Sequence, residues 1–409
     1  MMTTSSVTAS SMMADLSGIG RDPKRGGYSR PVFSPAELEL REWFVGEARR
    51  LGLDVETDRN GIIWAWWDAP GKSRENAVAT GSHLDSVPGG GAFDGPLGVV
   101  SALAAVELMH TTGFRPGRPV VIVVFPEEEG SRYGLPCLGS GLMTGTVSVD
   151  RALALKDENG DTLADLFGRN GFDPDLVGPD AKAVERIGAF VELHVEQGRG
   201  LVDLSEPVAI GRSIIGHGRW KLRFEGQGNH AGTTLMSDRR DPMIPAARTI
   251  LAVQEAARAV PGARATVGKV IPVPGGSNVI ASAVDVWLDV RHADESALQP
   301  LVDEITAQAS GLARAAACRS SVSRESYSPT ATFDADLIRR FTKVLPSAPL
   351  LDTGAGHDAG VLAPFTPSAM LFVRNPSGIS HSPEEYAEDA DVDAGAHALA
   401  LILMDLSSA

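Results

Sequence analysis

AVATGSHLDSVPGGGAFDGPLGVVSALAAVELMH, residues 77–110, passes from a short apolar run through a glycine-rich loop into a helical stretch. The run at 77–80 is too short for an ordinary helix and suits a buried strand. Pro96 stands where a helix begins, because its fixed φ and missing N–H do no harm in a first turn. Further apolar runs occur at 120–125, 190–193 and 369–373, again alternating with helical stretches. This order predicts an α/β fold, a mixed sheet with helices on both faces. Each run leads at once into residues able to bind metal or move protons: His83 and Asp85, then Glu127 to Glu129, then His194, and later His381. In open α/β sheets, sites form at the carboxyl ends of strands, so four such coincidences predict one site assembled across the sheet.

Upstream, SPAELELREWFVGEARRL at 34–51 reads as a helix capped by Ser34, with Pro35 in its first turn. LDVETDRNGIIWAWW reads as a β-hairpin closed by Asn60-Gly61, with Trp64 and Trp66 on one face as core residues. Residues 1–27 are rich in Ser, Thr and Gly and are expected to be flexible. Downstream the pattern changes. Trp220, Leu222 and Phe224 alternate with Lys221, Arg223 and Glu225, which marks a half-buried strand. A helix follows from Asp241-Pro242, then strands near 265–271 and 279–290, a second helix carrying Leu298, Leu301, Val302, Ile305 and Leu312, and a strand at 318–325. The order β-α-β-β-α-β is the ferredoxin-like pattern. It is read as an α+β domain, 213–327, inserted into a larger domain formed by 28–212 and 328–409.

Composition narrows the functional classes. The 409 residues are 43% hydrophobic and 22% charged, enough apolar material for a packed core. With 52 acidic against 37 basic residues the net charge is −15, which disfavours nucleic acid or an anionic membrane as partner. Only Cys137 and Cys318 are present, so neither a disulfide framework nor a CxxC metal site is available. No apolar run approaches the ~20 residues of a membrane span, and the N-terminal residues carry no secretion pattern, so a cytoplasmic setting is expected.

The chemistry concentrates in four segments. In GSHLDSVPGGGAFDGPLGV, His83 offers an imidazole, and Asp85, two residues on, is placed to receive its second ring proton. Asp94 follows the glycines and precedes a helix, so it suits either a bridge between cations or a helix N-cap. FPEEEGSRYG at 125–134 puts three acids at a strand end, where they repel unless a cation or open solvent relieves them. One would bind metal and a neighbour would take a proton from metal-bound water. ELHVEQG at 192–198 supplies His194, and PSGISHSPEEYA at 376–387 supplies His381. Two or more imidazoles with carboxylates and no cysteine suit zinc or a neighbouring transition metal. With Asp94 bridging, His83 and His194 would serve one ion and Glu129 and His381 the other. Gly71-Lys72-Ser73 is no phosphate loop, because the first glycine position holds Trp66; neither HExxH nor GxSxG occurs.

From about residue 28 to the C-terminus, GSHLDSVPGGGAFDGPLGV, EEEGSRYG, ELHVEQG, GNHAGTTLMSDRRDP, SNVI, DVRH, GAGHDA and GISHSPEE occur in that order. The chain thereby resembles the M20-type dinuclear metallohydrolases. Within them it resembles the carbamoylase-type amidases, which include allantoate amidohydrolases and N-carbamoyl-L-amino acid hydrolases. The resemblance implies two divalent metal ions per subunit, zinc first, with manganese, cobalt or nickel as alternatives. It implies His83, Asp94, Glu129, His194 and His381 as ligands and Glu128 as general base. It also implies that the inserted domain is a lid through which the protein forms a homodimer. On the lid, His230 and Asn278 would polarise the scissile carbonyl, and Arg291 would pair with a carboxylate on a small-molecule substrate. Gln197 would meet the ureido group, Gly356 would offer backbone contacts, and His217 would be a further substrate contact. Read from the residues alone, Arg291 could instead pair with a neighbouring acid, and Asn278 could be a turn residue.

Three positions depart from the family pattern: Pro88 in the loop after His83, Leu235 in LMSDRRDP, and SNVIAS, which lacks a proline after the Asn-Val pair. The expected reaction is hydrolysis of a linear ureido C–N bond in a carboxylate-bearing substrate by metal-activated water. Its rivals are an N-formyl or N-acyl amino acid deacylase or a dipeptidase of the same wider fold, and a non-catalytic metal- or ligand-binding protein.

Overall fold

The computed structural model describes residues 8–408. Their chain forms two compact units: one runs to Ser213 and resumes at Thr332, and the other is Ile214–Ala331. The boundaries read from the sequence were 213 and 327.

The first unit is built on a nine-stranded mixed sheet. Its centre is four parallel strands in the order Val120–Phe125, Ala77–His83, Ile187–Val195, Ser368–Val373. Antiparallel strands flank them, Ile63–Trp67 beside Val120–Phe125 and Val208–Ile214 beside Ser368–Val373. The central strands are buried on both faces, which is why they read as unbroken apolar runs rather than alternating ones. Helices cover both faces. Glu192 reaches Ala359 N–H, at the start of helix Asp358–Leu362, at 2.9 Å. Leu193, the next residue, packs toward Gly395 of helix Asp389–Ser407. A Cβ on Gly395 would lie 2.4 Å from Val373 Cγ2, so glycine is what lets this helix seat against the sheet.

Helix Pro96–Thr111 has little amphipathic contrast because it is buried nearly all round, against the sheet and against helices Asp389–Ser407 and Ala9–Asp15. That last helix differs from the flexible start expected over 1–27. Thr8 caps it, and Ala9, Met12 and Leu16 are buried; residues 1–7 lie outside the described residues. The hairpin forms between Asp54–Thr57 and Ile63–Trp67, and Trp64 and Trp66 stack in the core with centroids 5.9 Å apart. Its loop is longer than a two-residue turn. Gly61 takes the positive φ, while the Asn60 amide bonds both main-chain groups of Gly178.

The second unit is a four-stranded antiparallel sheet in the order Arg319–Ser328, Gly216–Glu225, Ala283–His292, Arg264–Val273, with helices Met243–Ala259 and Glu295–Ala315. Trp220, Leu222, Phe224, Val284, Val286 and Leu288 pack with Leu298, Leu301, Val302 and Ile305 into its core. The strand expected at 279–290 is in fact two. Val279–Ile280 pairs with Asn229–His230, and only from Ala283 does the chain join the main sheet.

Candidate metal and active site

The parallel registers set His83 beside Phe125 and His194 beside Phe372. The loops carrying the remaining polar residues therefore leave the sheet at one end, the carboxyl ends of its parallel strands. Asp94 is delivered there by the glycine-rich loop, and it is not the helix N-cap. Gly95 occupies that position with φ +87, where a Cβ would lie 2.4 Å from the His83 ring. Glu385 fixes the loop from behind, its Oε1 accepting the Phe93 and Asp94 N–H groups at 3.0 Å each.

Two groups of donors result, His83 with Asp94 and His194, and Asp94 with Glu129 and His381. Asp94 is common to both. Its Oδ1 stands 3.1 Å from His194 Nε2 and 3.8 Å from His83 Nε2. Its Oδ2 stands 3.3 Å from His381 Nε2, which is also 3.4 Å from Glu129 Oε2. These residues fit divalent cations. His194 Nε2 faces Asp94 without the alignment of a hydrogen bond, and Glu129 Oε1 is buried with no hydrogen-bond partner among the described residues. Burial holds the His83 imidazole down to about 4, so the ring is neutral, the form that ligates metal. An all-N/O set with two imidazoles on one side suits zinc and its neighbours.

The three consecutive acids divide their work. Glu127, at φ +54, turns inward and accepts the Arg132 and Tyr133 N–H groups at 2.9 and 2.8 Å. Glu128 points Oε2 to within 3.6 Å of His83 Nε2, and Glu129 faces His381. Asp85 organises the turn, Oδ1 accepting Glu128 N–H and Oδ2 accepting Glu129 N–H, both at 3.1 Å. The partner of His83 Nδ1 is accordingly the Asp85 carbonyl, at 3.0 Å, with the carboxylate 3.6 Å away. The sequence reading set the Asp85 carboxylate against that ring nitrogen; here the carboxylate is instead committed to two main-chain donors.

Gln197 joins this group. Its Nε2 lies 2.9 Å from Asp94 Oδ2 and 3.1 Å from Ser380 Oγ. Gly356 has open space where a Cβ would project and precedes His357, whose ring centroid is 4.4 Å from that of His194.

The remaining candidates belong to the second unit, where they fall into two pairs. The short ladder sets His230 opposite Val279, and Asn278 accepts the Ala231 N–H at 3.0 Å. His230 Nδ1 accepts the Gly232 N–H at 3.0 Å, which places the neutral ring's proton on Nε2. Arg291 and His217 are direct cross-strand neighbours. Arg291 also pairs with Asp289, the neighbouring-acid arrangement that the sequence left open.

Four polar residues at the first unit's site escaped the sequence reading. Glu192 accepts from Ser82 Oγ at 2.8 Å, Asp358 accepts from the Ser140 hydroxyl, His357 is buried with both ring nitrogens unpartnered among the described residues, and Cys137 contacts Glu128. Glu192 was visible as a charge inside an apolar run, and His357 and Asp358 as the polar pair of GAGHDA. Burial, with Asp358 and Glu129 next, pushes Glu128 well above the usual carboxylate range. Burial with Asp94 does the same to Glu129. So much buried acid is a setting that cations relieve.

Known proteins resemble this chain along nearly all of its length. The model of the M20/M25/M40 peptidase family matches residues 79–405. Identity to the N-carbamoyl-L-amino acid amidohydrolase of Geobacillus stearothermophilus is 35% over 391 residues, 95% of each chain. Identity to the allantoate amidohydrolase of Escherichia coli (strain K12) is 31% over 399 residues, 96% of each. The fold matches the crystal structure of a hydantoinase/carbamoylase family amidase from Burkholderia vietnamiensis. The TM-score is 0.87 at 29% identity, covering 98% of this chain and 97% of that one.

Proposed function

The chain belongs to the M20/M25/M40 peptidase family, and on that premise we propose that it is an amidohydrolase that cleaves a linear ureido C–N bond in a small carboxylate-bearing substrate, such as an N-carbamoyl-L-amino acid or allantoate. The observation that carries this reading is Asp94 shared between two donor groups, with the Glu128 carboxylate beside them. His83 and His194 would hold one divalent cation and Glu129 and His381 a second, zinc by preference, with manganese, cobalt or nickel as alternatives. Bound there, the two ions would polarise the scissile carbonyl and make water a better nucleophile at neutral pH.

The chain's own residues supply the proton chemistry and the orientation. Glu128 takes the proton of the attacking water on Oε2, the oxygen turned toward His83, and returns it to the departing nitrogen. His230 donates Nε2–H to the developing oxyanion, a role its Nδ1 bond to Gly232 prepares, and Asn278 assists. Arg291 receives the substrate carboxylate, with His217 alongside. Gln197 and the main chain at Gly356 address the ureido end.

The unit Ile214–Ala331 serves in this reading as lid and dimerisation domain, its partner a second copy of the chain. Among the described residues its edge strand Arg264–Val273 pairs on one side only, and it exposes Val270, Ile271 and Val273. No helix among the described residues is long and apolar enough to cross a membrane. A cytoplasmic setting fits two cysteines that are both free thiols.

The test is ammonia release by the metal-reconstituted full chain from allantoate, N-carbamoyl-, N-formyl- and N-acetyl-L-amino acids, with dipeptides assayed alongside. Turnover of ureido acids well above the rest is expected. Turnover confined to dipeptides or N-acyl amino acids would replace the ureido assignment with a deacylase or peptidase one. Tight metal binding without turnover of any substrate would leave a binding protein.

A further inference from the structure

Glu128 is held on three sides, and two of the three belong to Cys137. The Asp85 carboxylate takes the Glu128 N–H at 3.1 Å, the Cys137 N–H donates to the Glu128 carbonyl at 2.7 Å, and the Cys137 thiol lies 3.2 Å from Glu128 Oε1. Cys137 and Glu128 are both buried. Cys137 sits at φ +51, in the left-handed region that residues with a Cβ seldom occupy, so the surrounding fold holds this conformation against its intrinsic cost. The conformation lets one residue meet both ends of Glu128, carbonyl and carboxylate. Oε2 is left turned toward His83, 3.6 Å away.

We propose that Cys137 is a positioning residue for the reaction: its S–H donates to Glu128 Oε1 and so fixes Oε2 toward the site. The proposal rests on the reading of Glu128 as the proton acceptor. The choice of a thiol has a physical reason. A hydroxyl or ammonium donor would bind the carboxylate strongly and compete with the reacting water, whereas S–H is a weak donor that restrains the torsion without tying up the base. Burial, with the charges of Glu128 and Asp358 next, pushes the thiol well above its ordinary range, so it remains a donor at neutral pH.

Two measurements test this, both on the full chain. In the metal-reconstituted enzyme, Cys137→Ala should lower kcat about tenfold, the scale of one lost hydrogen bond, with KM and bound metal unchanged. Cys137→Ser keeps a donor on Oε1 but holds the carboxylate more strongly, so its kcat should lie between those of the wild type and Cys137→Ala. In the Glu128→Gln background, Cys137→Ala should cause no further loss. A wild-type kcat in Cys137→Ala, or an equal loss in both backgrounds, would overturn the proposal. Independently of activity, the S–H infrared stretch of Cys137, isolated in a Cys318→Ala background, should lie at low wavenumber and rise in Glu128→Ala. A band that does not move would refute the hydrogen bond even if the variants fold poorly. If the wild type hydrolyses no ureido acid, the functional reading fails, and the infrared result still decides the contact.

Discussion

Asp289 grips Arg291 through both oxygens, Nε donating to Oδ1 at 2.8 Å and Nη2 to Oδ2 at 3.1 Å. The two residues stand two apart on one strand, so their side chains share a face, and His217 is the cross-strand neighbour of Arg291. A guanidinium clamped along one edge is preoriented for an anion. Arg291→Ala should therefore raise KM for a carboxylate substrate by one to two orders of magnitude, on the order of 1.5–3 kcal/mol for a charged hydrogen bond, with a smaller effect on kcat. The check is the same kinetics with the substrate's carboxylate replaced by an amide: the wild type should lose most of its advantage over the variant. An undiminished advantage would remove Arg291 from substrate recognition.

The same pair has a pH signature. Burial alone would raise the Asp289 carboxyl, but the hydrogen bond and charge of Arg291, with Arg219 adding to them, outweigh it and hold the group below its ordinary value. A depressed folded-state value gives stability that is present above the unfolded value of about 3.9 and is lost as pH falls through the lowered one. Asp289→Asn should thus weaken urea resistance at neutral pH and converge with the wild type in acid. Parallel curves across the whole pH series would show that the ion pair contributes nothing to folding.

How far the sequence foretold this arrangement depends on where the information sits. His83 and His194 were legible because fully buried parallel strands appear as unbroken apolar runs, and a histidine at the end of such a run is conspicuous. Glu192 was obscured by the same rule, as one charge within a run read for its apolar character. The contact between Cys137 and Glu128 depends on a left-handed backbone nine residues downstream, which no local pattern encodes. The helix Ala9–Asp15 was hidden by its serines, although Ala9, Met12, Met13 and Leu16 carry a helical apolar spacing. The hairpin at 54–67 was visible from Asn60-Gly61, but the loop type was not, because Asn60 is drawn to Gly178, far along the chain.

Glu128→Gln removes the proposed proton acceptor while conserving shape. Turnover should fall by at least the 10²–10⁴-fold that general-base catalysis contributes, with bound metal unchanged because Glu128 lies outside both donor groups. Elemental analysis beside the ammonia assay checks both halves. Near-normal turnover would assign the proton transfer elsewhere.

The role proposed for His230 is of a different kind, that of a donor that matters most when negative charge develops. With Nδ1 occupied by the Gly232 N–H, Nε2 carries the proton. His230→Ala should cost about 2.7–4 kcal/mol in the transition state, appearing chiefly in kcat. His230→Asn, which keeps a side-chain N–H, should fall between the two. An effect confined to KM would make His230 a binding residue rather than an oxyanion donor.

The sharing of Asp94 predicts an asymmetry in metal content. His381 belongs to one donor group and His83 to the other, whereas Asp94 belongs to both. His381→Ala and His83→Ala should each lose about one metal equivalent by elemental analysis after dialysis, while Asp94→Ala should lose both. The glycine-rich loop is held by Glu385 through main-chain N–H groups, so it does not depend on the Asp94 side chain. The Asp94→Ala fold should therefore survive. In thermal unfolding, added zinc should raise the wild-type midpoint, since a ligand at a hundredfold excess over its Kd adds about 2.7 kcal/mol. The shift should shrink in the histidine variants and vanish in Asp94→Ala. Equal metal loss in all three variants would mean that the ions bind as one inseparable unit, and retention of one ion by Asp94→Ala would show that the carboxylate does not bridge them.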